Sequence, residues 1–343
     1  MWNNEKIIAV GGSGALLLDS DGRVQQTLTT ESLLCNANGA AISASQICVS
    51  LLDKAKLVFL SSNQTFRASV PEVVTSIAFS KSGEILYAGG KSGRLLIWQT
   101  RTGALLHSGQ IFYTAITGLD VDSSSLLLSS ASGDLHLINL VELFMNKGDQ
   151  GMITGVTIDM NLGVAEKKES GTNYVGHSAH VVGVLNLLHG PLENDVSFVS
   201  VSRDKNLRLW HHTKQNSIKS IFIDHTPMSL SKSICGGKCF IPCEDGVVVI
   251  VDLKNLKVSE LTGHIGPVSG CVESRNLVTC ALDGIRIWNI NSKICLSHHQ
   301  TCTGISKLFI CDGIPRNPNK PSPLKTTNTG DNCDSYIGIS LNI

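Results

Sequence analysis

The sequence predicts an all-β ring, a seven-bladed β-propeller, on three observations: a strand motif recurring at a period near 40 residues, seven copies of it, and no sustained helical periodicity. The motif is a short apolar strand ending in an aromatic or bulky residue, with a small or acidic turn residue about six positions earlier. Its clearest copies are Ser92-Gly-Arg-Leu-Leu-Ile-Trp98, Asp204-Lys-Asn-Leu-Arg-Leu-Trp210 and Asp283-Gly-Ile-Arg-Ile-Trp288. Gly133-Asp-Leu-His-Leu-Ile-Asn139 and Asp245-Gly-Val-Val-Val-Ile-Val251 are weaker, and further copies end at Leu18 and Leu60. The seven endpoints are separated by 42, 38, 41, 71, 41 and 37 residues. The long gap equals one blade plus an insertion of roughly 30 residues, placed at 146–175 between blades four and five.

Within a period the elements read as strands and turns. Val74-Thr-Ser-Ile-Ala-Phe79 alternates with a period of two and runs into the turn Ser80-Lys-Ser-Gly83. Ile85-Leu-Tyr-Ala-Gly-Gly90 then leads through Lys91-Ser-Gly93 into the strand ending at Trp98. Only Val141-Glu-Leu-Phe-Met145 suggests a helical turn. A last strand at 304–311 completes the blade begun by residues 7–28, which closes the ring and hides its sheet edges. The propeller is therefore expected over 1–311. Residues 312–343 form a Pro/Asn/Thr-rich tail, with coil expected over 312–335 (Pro315, Pro318, Pro321, Pro323). Deleting 302–343 is expected to destabilise the fold, and deleting 315–335 is not.

Composition limits the function classes. The chain has 343 residues, 42% hydrophobic and 16% charged, with 28 Lys+Arg against 28 Asp+Glu. This suits a packed globular protein with no net field toward nucleic acid or a membrane surface, and no Lys/Arg run is dense enough to mark direct nucleic-acid binding. No apolar stretch reaches the roughly 18 residues needed to cross a bilayer as a helix. The run from Ile7 to Leu18 lacks a basic leader and a cleavage site, and reads as two strands and a turn. Eleven cysteines without a framework fit a reducing compartment, the nucleus or cytosol.

Two repeats carry a polar set. One has Gly176-His177, Ser200, Asp204 and Trp210; the other has Gly263-His264, Thr279, Asp283 and Trp288. The expected arrangement is a structural hydrogen-bond relay: the turn Asp holds the imidazole, the His reaches the hydroxyl, and the Trp N–H supplies the last donor. Asp283 lies five residues before Trp288 where Asp204 lies six before Trp210, so the second relay is expected to have a tightened turn and to be the less secure.

These residues resemble the WD-repeat superfamily over about residues 5–311. A narrower likeness rests on the run Val74 to Gly90, Leu95-Leu-Ile-Trp98, Thr102-Gly-Ala-Leu-Leu106, Ser178-Ala-His-Val-Val-Gly-Val184, Ser200 to Trp210, Cys243-Glu-Asp-Gly246 and Val251-Asp-Leu253. Together they resemble the WD-repeat subunit of the Rix/Ipi-type ribosome assembly complex. That resemblance implies a nuclear scaffold (nucleolus or nucleoplasm, with the cytoplasm as a second location) in large-subunit maturation and pre-rRNA processing. It also implies a helical-repeat partner of the Rix/PELP type and action near a giant AAA ATPase on pre-ribosomes. Members commonly carry a helical extension that supports self-association. Here 304–311 reads as a strand, so self-association is not carried over, and the chain reads as truncated or as an alternative product.

Other chemistry is weaker. Cys235-x3-Cys239-x3-Cys243 has zinc-like residues but no fourth ligand nearer than His225, and the cysteines are read as buried hydrophobes. Gly11-Gly-Ser-Gly14 is a β-turn rather than a phosphate loop. His211-His212 and His298-His299 follow blade strands and are read as surface loop. The Ser-His-Asp sets are read as relays rather than catalytic triads. No catalytic residue, cofactor or metal is therefore assigned. The partner surface is expected on the insertion near 146–174. The alternative function is a substrate receptor of a cullin-type ubiquitin ligase, for which Trp98-Gln-Thr-Arg101 keeps the Arg but lacks the Asp of the usual motif. A third, a propeller enzyme, would need polar groups converging on the central channel.

Overall fold

Short runs of alternating or continuous apolar residues, punctuated by Gly, Ser and Asp, become strands of two to seven residues, most joined by tight turns. In the computed structural model these strands assemble four at a time. The structure describes residues 6–61, 65–145, 156–158, 165–167, 171–187, 196–233, 237–300, 304–311 and 324. Among them are seven four-stranded sheets and one two-stranded sheet.

Blade 1 orders Ile305–Cys311, Lys6–Gly11, Gly14–Leu18 and Val24–Thr29 from the axis outward. Blade 2 is Ala40–Ile42, Ile47–Ser50, Lys56–Leu60 and Thr65–Ser69, and blade 3 is Val74–Phe79, Ile85–Gly90, Arg94–Gln99 and Leu105–Gln110. Blade 4 is Ile116–Val121, Ser125–Ser130, Leu135–Asn139 and Thr172–Tyr174. Blade 5 is Val181–Asn186, Phe198–Ser202, Asn206–Trp210 and Lys219–Phe222. Blade 6 is Ser231–Lys232, Lys238–Pro242, Val248–Asp252 and Val258–Leu261, and blade 7 is Val268–Glu273, Leu277–Ala281, Gly284–Asn289 and Ile294–His299.

The blade 4 assignment corrects the expected insertion. Its outer strand Thr172–Tyr174 pairs with Leu135–Asn139 (Leu135 opposite Tyr174, Leu137 opposite Thr172), after the helix Leu140–Met145 and a hairpin of Val156–Ile158 with Ala165–Lys167. The insertion thus lies inside blade 4, between its third and fourth strands, and not between blades four and five. Of 146–174, residues 146–155, 159–164 and 168–170 lie outside the described residues.

The ring closes where the first and last described strands meet. Lys6–Gly11 pairs antiparallel with Ile305–Cys311, from Lys6 opposite Cys311 to Gly11 opposite Ile305. The core lies between blades. The middle strands are buried on both faces, which is why they read as unbroken apolar runs, whereas the outer strand Ile294–His299 exposes every second residue. Val199, Val201, Leu207 and Leu209 of blade 5, for example, pack on Cys239, Ile241, Val249 and Val251 of blade 6.

Near the axis, hydroxyls on the inner strands of one blade reach first-strand carbonyls of the next. Ser50 Oγ donates to the Val74 carbonyl at 2.6 Å, Thr75 Oγ1 to Ile116 at 2.6 Å, and Thr117 Oγ1 to Val181 at 2.6 Å. Ser231 Oγ donates to Cys271 at 2.9 Å, and Ser269 Oγ to Ile305. These bonds step from blade 2 through blade 5 and from blade 6 to blade 1. Asn38, in the loop entering blade 2, adds a strut across the ring: its Nδ2 donates to the carbonyls of Thr117 at 2.7 Å and Val182 at 2.9 Å, in blades 4 and 5. Its own carbonyl accepts the Ile77 N–H of blade 3 at 2.8 Å. One residue therefore ties four blades together.

Asn38→Asp keeps the shape but removes both donors and turns a carboxylate toward two carbonyls. A loss of about 2 kcal/mol or more is expected, read as a lower urea midpoint with an unchanged slope.

Candidate functional site

In blades 5 and 7 the loop entering the first strand and the turn between the second and third strands lie on the same face of the ring. Asp204 and Asp283 occupy those turns, and His177 and His264 occupy the entering loops. In blade 5, His177 Nδ1–H donates to Asp204 Oδ2 at 2.8 Å, and Nε2 accepts from Ser200 Oγ at 2.7 Å. Ser200 Oγ in turn accepts the Trp210 Nε1–H at 2.8 Å. In blade 7, His264 meets Asp283 at 2.6 Å and Thr279 Oγ1 at 2.7 Å, and the Trp288 Nε1–H reaches Thr279 Oγ1 at 2.8 Å. The donors all run one way, from indole to hydroxyl to a neutral imidazole to carboxylate, so each buried polar atom in the line has a partner.

The turn of blade 7 is shorter by one residue: Ala281 pairs directly with Gly284, where blade 5 pairs Ser202 with Asn206. The His–Asp and His–hydroxyl distances nevertheless agree with those of blade 5 to within 0.2 Å. Arg286 compensates by holding Asp283 Oδ2 through its Nη2 at 3.1 Å. The Gly of each Gly-His pair has a spatial reason. A Cβ on Gly176 would lie 3.0 Å from the Trp210 ring, and one on Gly263 would lie 3.0 Å from that of Trp288. The entering loops also rest on the preceding blade. Gly133 (φ 102°) and Gly246 (φ 88°) approach the carbonyls of His177 and His264 so closely that a Cβ would come within 2.5 and 2.4 Å.

Blade 6 carries a partial relay that its sequence conceals. His225 Nδ1–H donates to Asp245 Oδ2 at 2.5 Å, as in the complete relays, but Ile241 replaces the hydroxyl and Val251 the Trp. Deprived of an inner partner, the imidazole turns its Nε2 to Glu260 at 3.4 Å. The signal was the spacing: Asp245 follows His225 by 20 residues, as Asp283 follows His264 by 19. In blade 3, Trp98 is fully buried, Ala88 takes the hydroxyl position, and Glu72 caps the turn by accepting the Ser92 N–H at 3.0 Å.

Burial lowers the pKa of His177 and His264, outweighing the adjacent carboxylates. For Asp204 and Asp283, burial acts upward, but hydrogen bonds from the imidazoles and from the Ser178 and Ile265 amides hold them below the usual carboxylate range. Burial of His225 is overcome by Asp245 and Glu260, which raise its pKa. Ser200 and Thr279 are wholly buried and already accept a Trp N–H, so these Ser/Thr-His-Asp lines are closed to a substrate carbonyl.

What the relays hold in place is a surface. The loops and turns on their face expose Tyr113 (87%), Val175 (65%), Ile265 (76%) and Leu282 (68%), with Leu34 and Leu52 further round the ring. Val175 and Ile265 lie within two residues of His177 and His264. Elsewhere, Cys239 and Cys243 are buried, which pushes both thiols up to about 12, and Cys235 lies outside the described residues. His212 Nδ1 bonds Ser197 Oγ at 2.9 Å. His298-His299 belong to the outer strand of blade 7 rather than to a loop, and His298 donates to the Asp283 carbonyl at 2.9 Å. Among the described residues no group of three or more His, Cys, Asp or Glu could hold a metal ion, and no helix is long and apolar enough to cross a membrane.

The seven sheets and this polar signature define a WD-repeat β-propeller, and the WD domain, G-beta repeat family matches residues 60–99. The WD40 β-propeller domain of Doa1 superposes with a TM-score of 0.59 at 14% identity, covering 80% of this chain and 85% of that one. Within the class, the chain is similar to the Ipi3-type pre-rRNA-processing proteins. It is 29% identical over 213 residues to pre-rRNA-processing protein IPI3 of Yarrowia lipolytica, covering 61% of this chain and 45% of that protein. It is 23% identical to crb3/ipi3 of Schizosaccharomyces pombe (53% and 38%), and 21% identical to ROOT INITIATION DEFECTIVE 3 of Arabidopsis thaliana (67% and 51%). The chain thus spans about half or less of the length of these curated relatives.

Ser200→Ala strands the Trp210 N–H and the His177 Nε2. Chemical denaturation is expected to show a loss of about 1–3 kcal/mol, with the same for Thr279→Ala. The pH dependence follows from the histidines. A His whose folded pKa is lowered binds protons more readily when unfolded, so the contribution of His177 and His264 is complete above about pH 6.5 and drains away as pH falls below it. His225, with its raised pKa, has the opposite sign: its contribution is present below about pH 6.5 and is lost as pH rises through the folded value. The melting temperature is expected to fall between pH 7.5 and 5.5, and to fall more steeply in His225→Gln, as scanning fluorimetry across that range would record.

Proposed function

We propose that this chain is a non-enzymatic interaction scaffold in pre-rRNA processing and large ribosomal subunit maturation. The observation that carries the reading is the likeness to two proteins named for pre-rRNA processing, over 61% and 53% of this chain. The geometry supports a scaffold. The hydroxyl-bearing sets are closed relays, and Asn38 braces the ring across its axis. On one face the exposed apolar side chains Val175 and Ile265 sit on loops anchored by those relays, with Leu282 beside Asp283 and Tyr113 further round the ring. A rigid loop loses little conformational freedom on binding, so apolar contacts made there are realised as affinity. The expected partner is a helical-repeat scaffold of the Rix/PELP type on pre-ribosomes in the nucleus, and the anchored face is the surface we assign to it. No observation favours the ubiquitin-ligase reading.

Affinity purification of the tagged chain from nuclear extract is expected to enrich large-subunit precursors, and Ile265→Asp combined with Tyr113→Asp to reduce that enrichment without lowering the melting temperature. Recovery of no pre-ribosomal protein by the parent chain would sink the proposal.

A further inference from the structure

Beyond Cys311 the structure describes one residue, Leu324, and that residue is buried, with only 8% of its surface exposed. It joins the apolar cluster between blades 2 and 3. The facing sheets supply two cross-strand rows: Ala41, Cys48, Phe59 and Phe66 from blade 2, and Phe79, Leu86, Trp98 and Leu105 from blade 3. Phe66, Phe79 and Leu105 are only partly buried, so the edge of this cleft remains apolar and accessible around the leucine.

We propose that the cleft between blades 2 and 3 is a binding site for a leucine-bearing, proline-restricted peptide, and that its resident ligand is the chain's own Leu324. Three features support this occupant. The side chain is buried and belongs to a cluster that both blades build, so docking takes its apolar surface out of water. Its sequence context, Pro321-Ser-Pro-Leu-Lys325, restricts the unbound chain, so less conformational freedom is lost on docking. The tether is also sufficient: the 13 residues from Cys311 to Leu324 span up to about 43 Å when extended, and they make docking intramolecular at a high effective concentration. Leu324, within the stretch 315–335 read from sequence as coil, thereby adds its side chain to the cluster between blades 2 and 3. This inference is independent of the proposed role in pre-rRNA processing.

The test uses the full chain and Leu324→Asp, with a fluorescent peptide of residues 319–328 as the probe. Leu324→Asp vacates the cleft, so the peptide is expected to bind it at least about tenfold more tightly than the parent chain, where the tethered leucine competes. A peptide carrying the same Leu→Asp change is expected to bind neither. Amide exchange at Ala68 and Leu105 is expected to accelerate in Leu324→Asp and to return to the parent rate when the peptide is added. Equal peptide affinity for the two chains, or unchanged exchange at both strands, would overturn the proposal.

Discussion

A propeller brings the first strand of every blade to its axis as an edge strand, and an edge strand leaves backbone carbonyls without a ladder partner. In this chain the neighbouring blade supplies the missing donors. Ser50, Thr75, Thr117, Ser231 and Ser269 each donate a hydroxyl to an inner-strand carbonyl one blade onward, and Asn38 donates two N–H groups across the ring. These bonds satisfy polar groups and also fix the angle between successive blades, because a hydroxyl reaches its carbonyl only when the blades are correctly packed. The apolar cores between blades depend on that alignment, as do the turns and loops placed on top of them.

The relays solve the same problem one layer out. Each entering loop must cross from one blade to the next, and a backbone crossing a buried interface needs partners of its own. In blades 5 and 7 the turn carboxylate accepts a loop N–H, from Ser178 or Ile265, and a neutral imidazole ties that carboxylate to the second strand through a hydroxyl. Where the hydroxyl and indole are lost, as in blade 6, the His–Asp contact persists but becomes a surface pair with Glu260. Blade 3 retains its indole and uses Glu72 to cap the turn. The blades are chemically unequal, and the face they present is most firmly fixed where the relays are complete.

Much of this was legible in the sequence because the repeat is written in residues that do one job. Tryptophans at the ends of third strands and acidic residues in the turns before them mark blades 5 and 7, and the period of the apolar runs counts the rest. Other features left no local mark. Asn38 bonds backbone carbonyls 79 and 144 residues away, and a carbonyl has no sequence signature. The insertion was misplaced because a three-residue outer strand, Thr172–Tyr174, is too short to declare itself as the completion of blade 4. His225 leaves little mark as a relay residue because Ile241 and Val251, in the places of the hydroxyl and the Trp, read as ordinary strand. Leu324 lies in a Pro-rich stretch whose composition speaks only of coil.

The pairing of Lys6–Gly11 with Ile305–Cys311 also sets a timetable. The second strand of blade 1 leaves the ribosome about 300 residues before the strand it pairs with. Until about residue 311 emerges, six blades can form while the seventh holds an unpaired apolar edge, the kind of surface on which nascent chains aggregate or recruit chaperones. Closure of the ring is therefore gated by synthesis of residues 305–311, and a chain stalled before residue 305 would be left as an open arc.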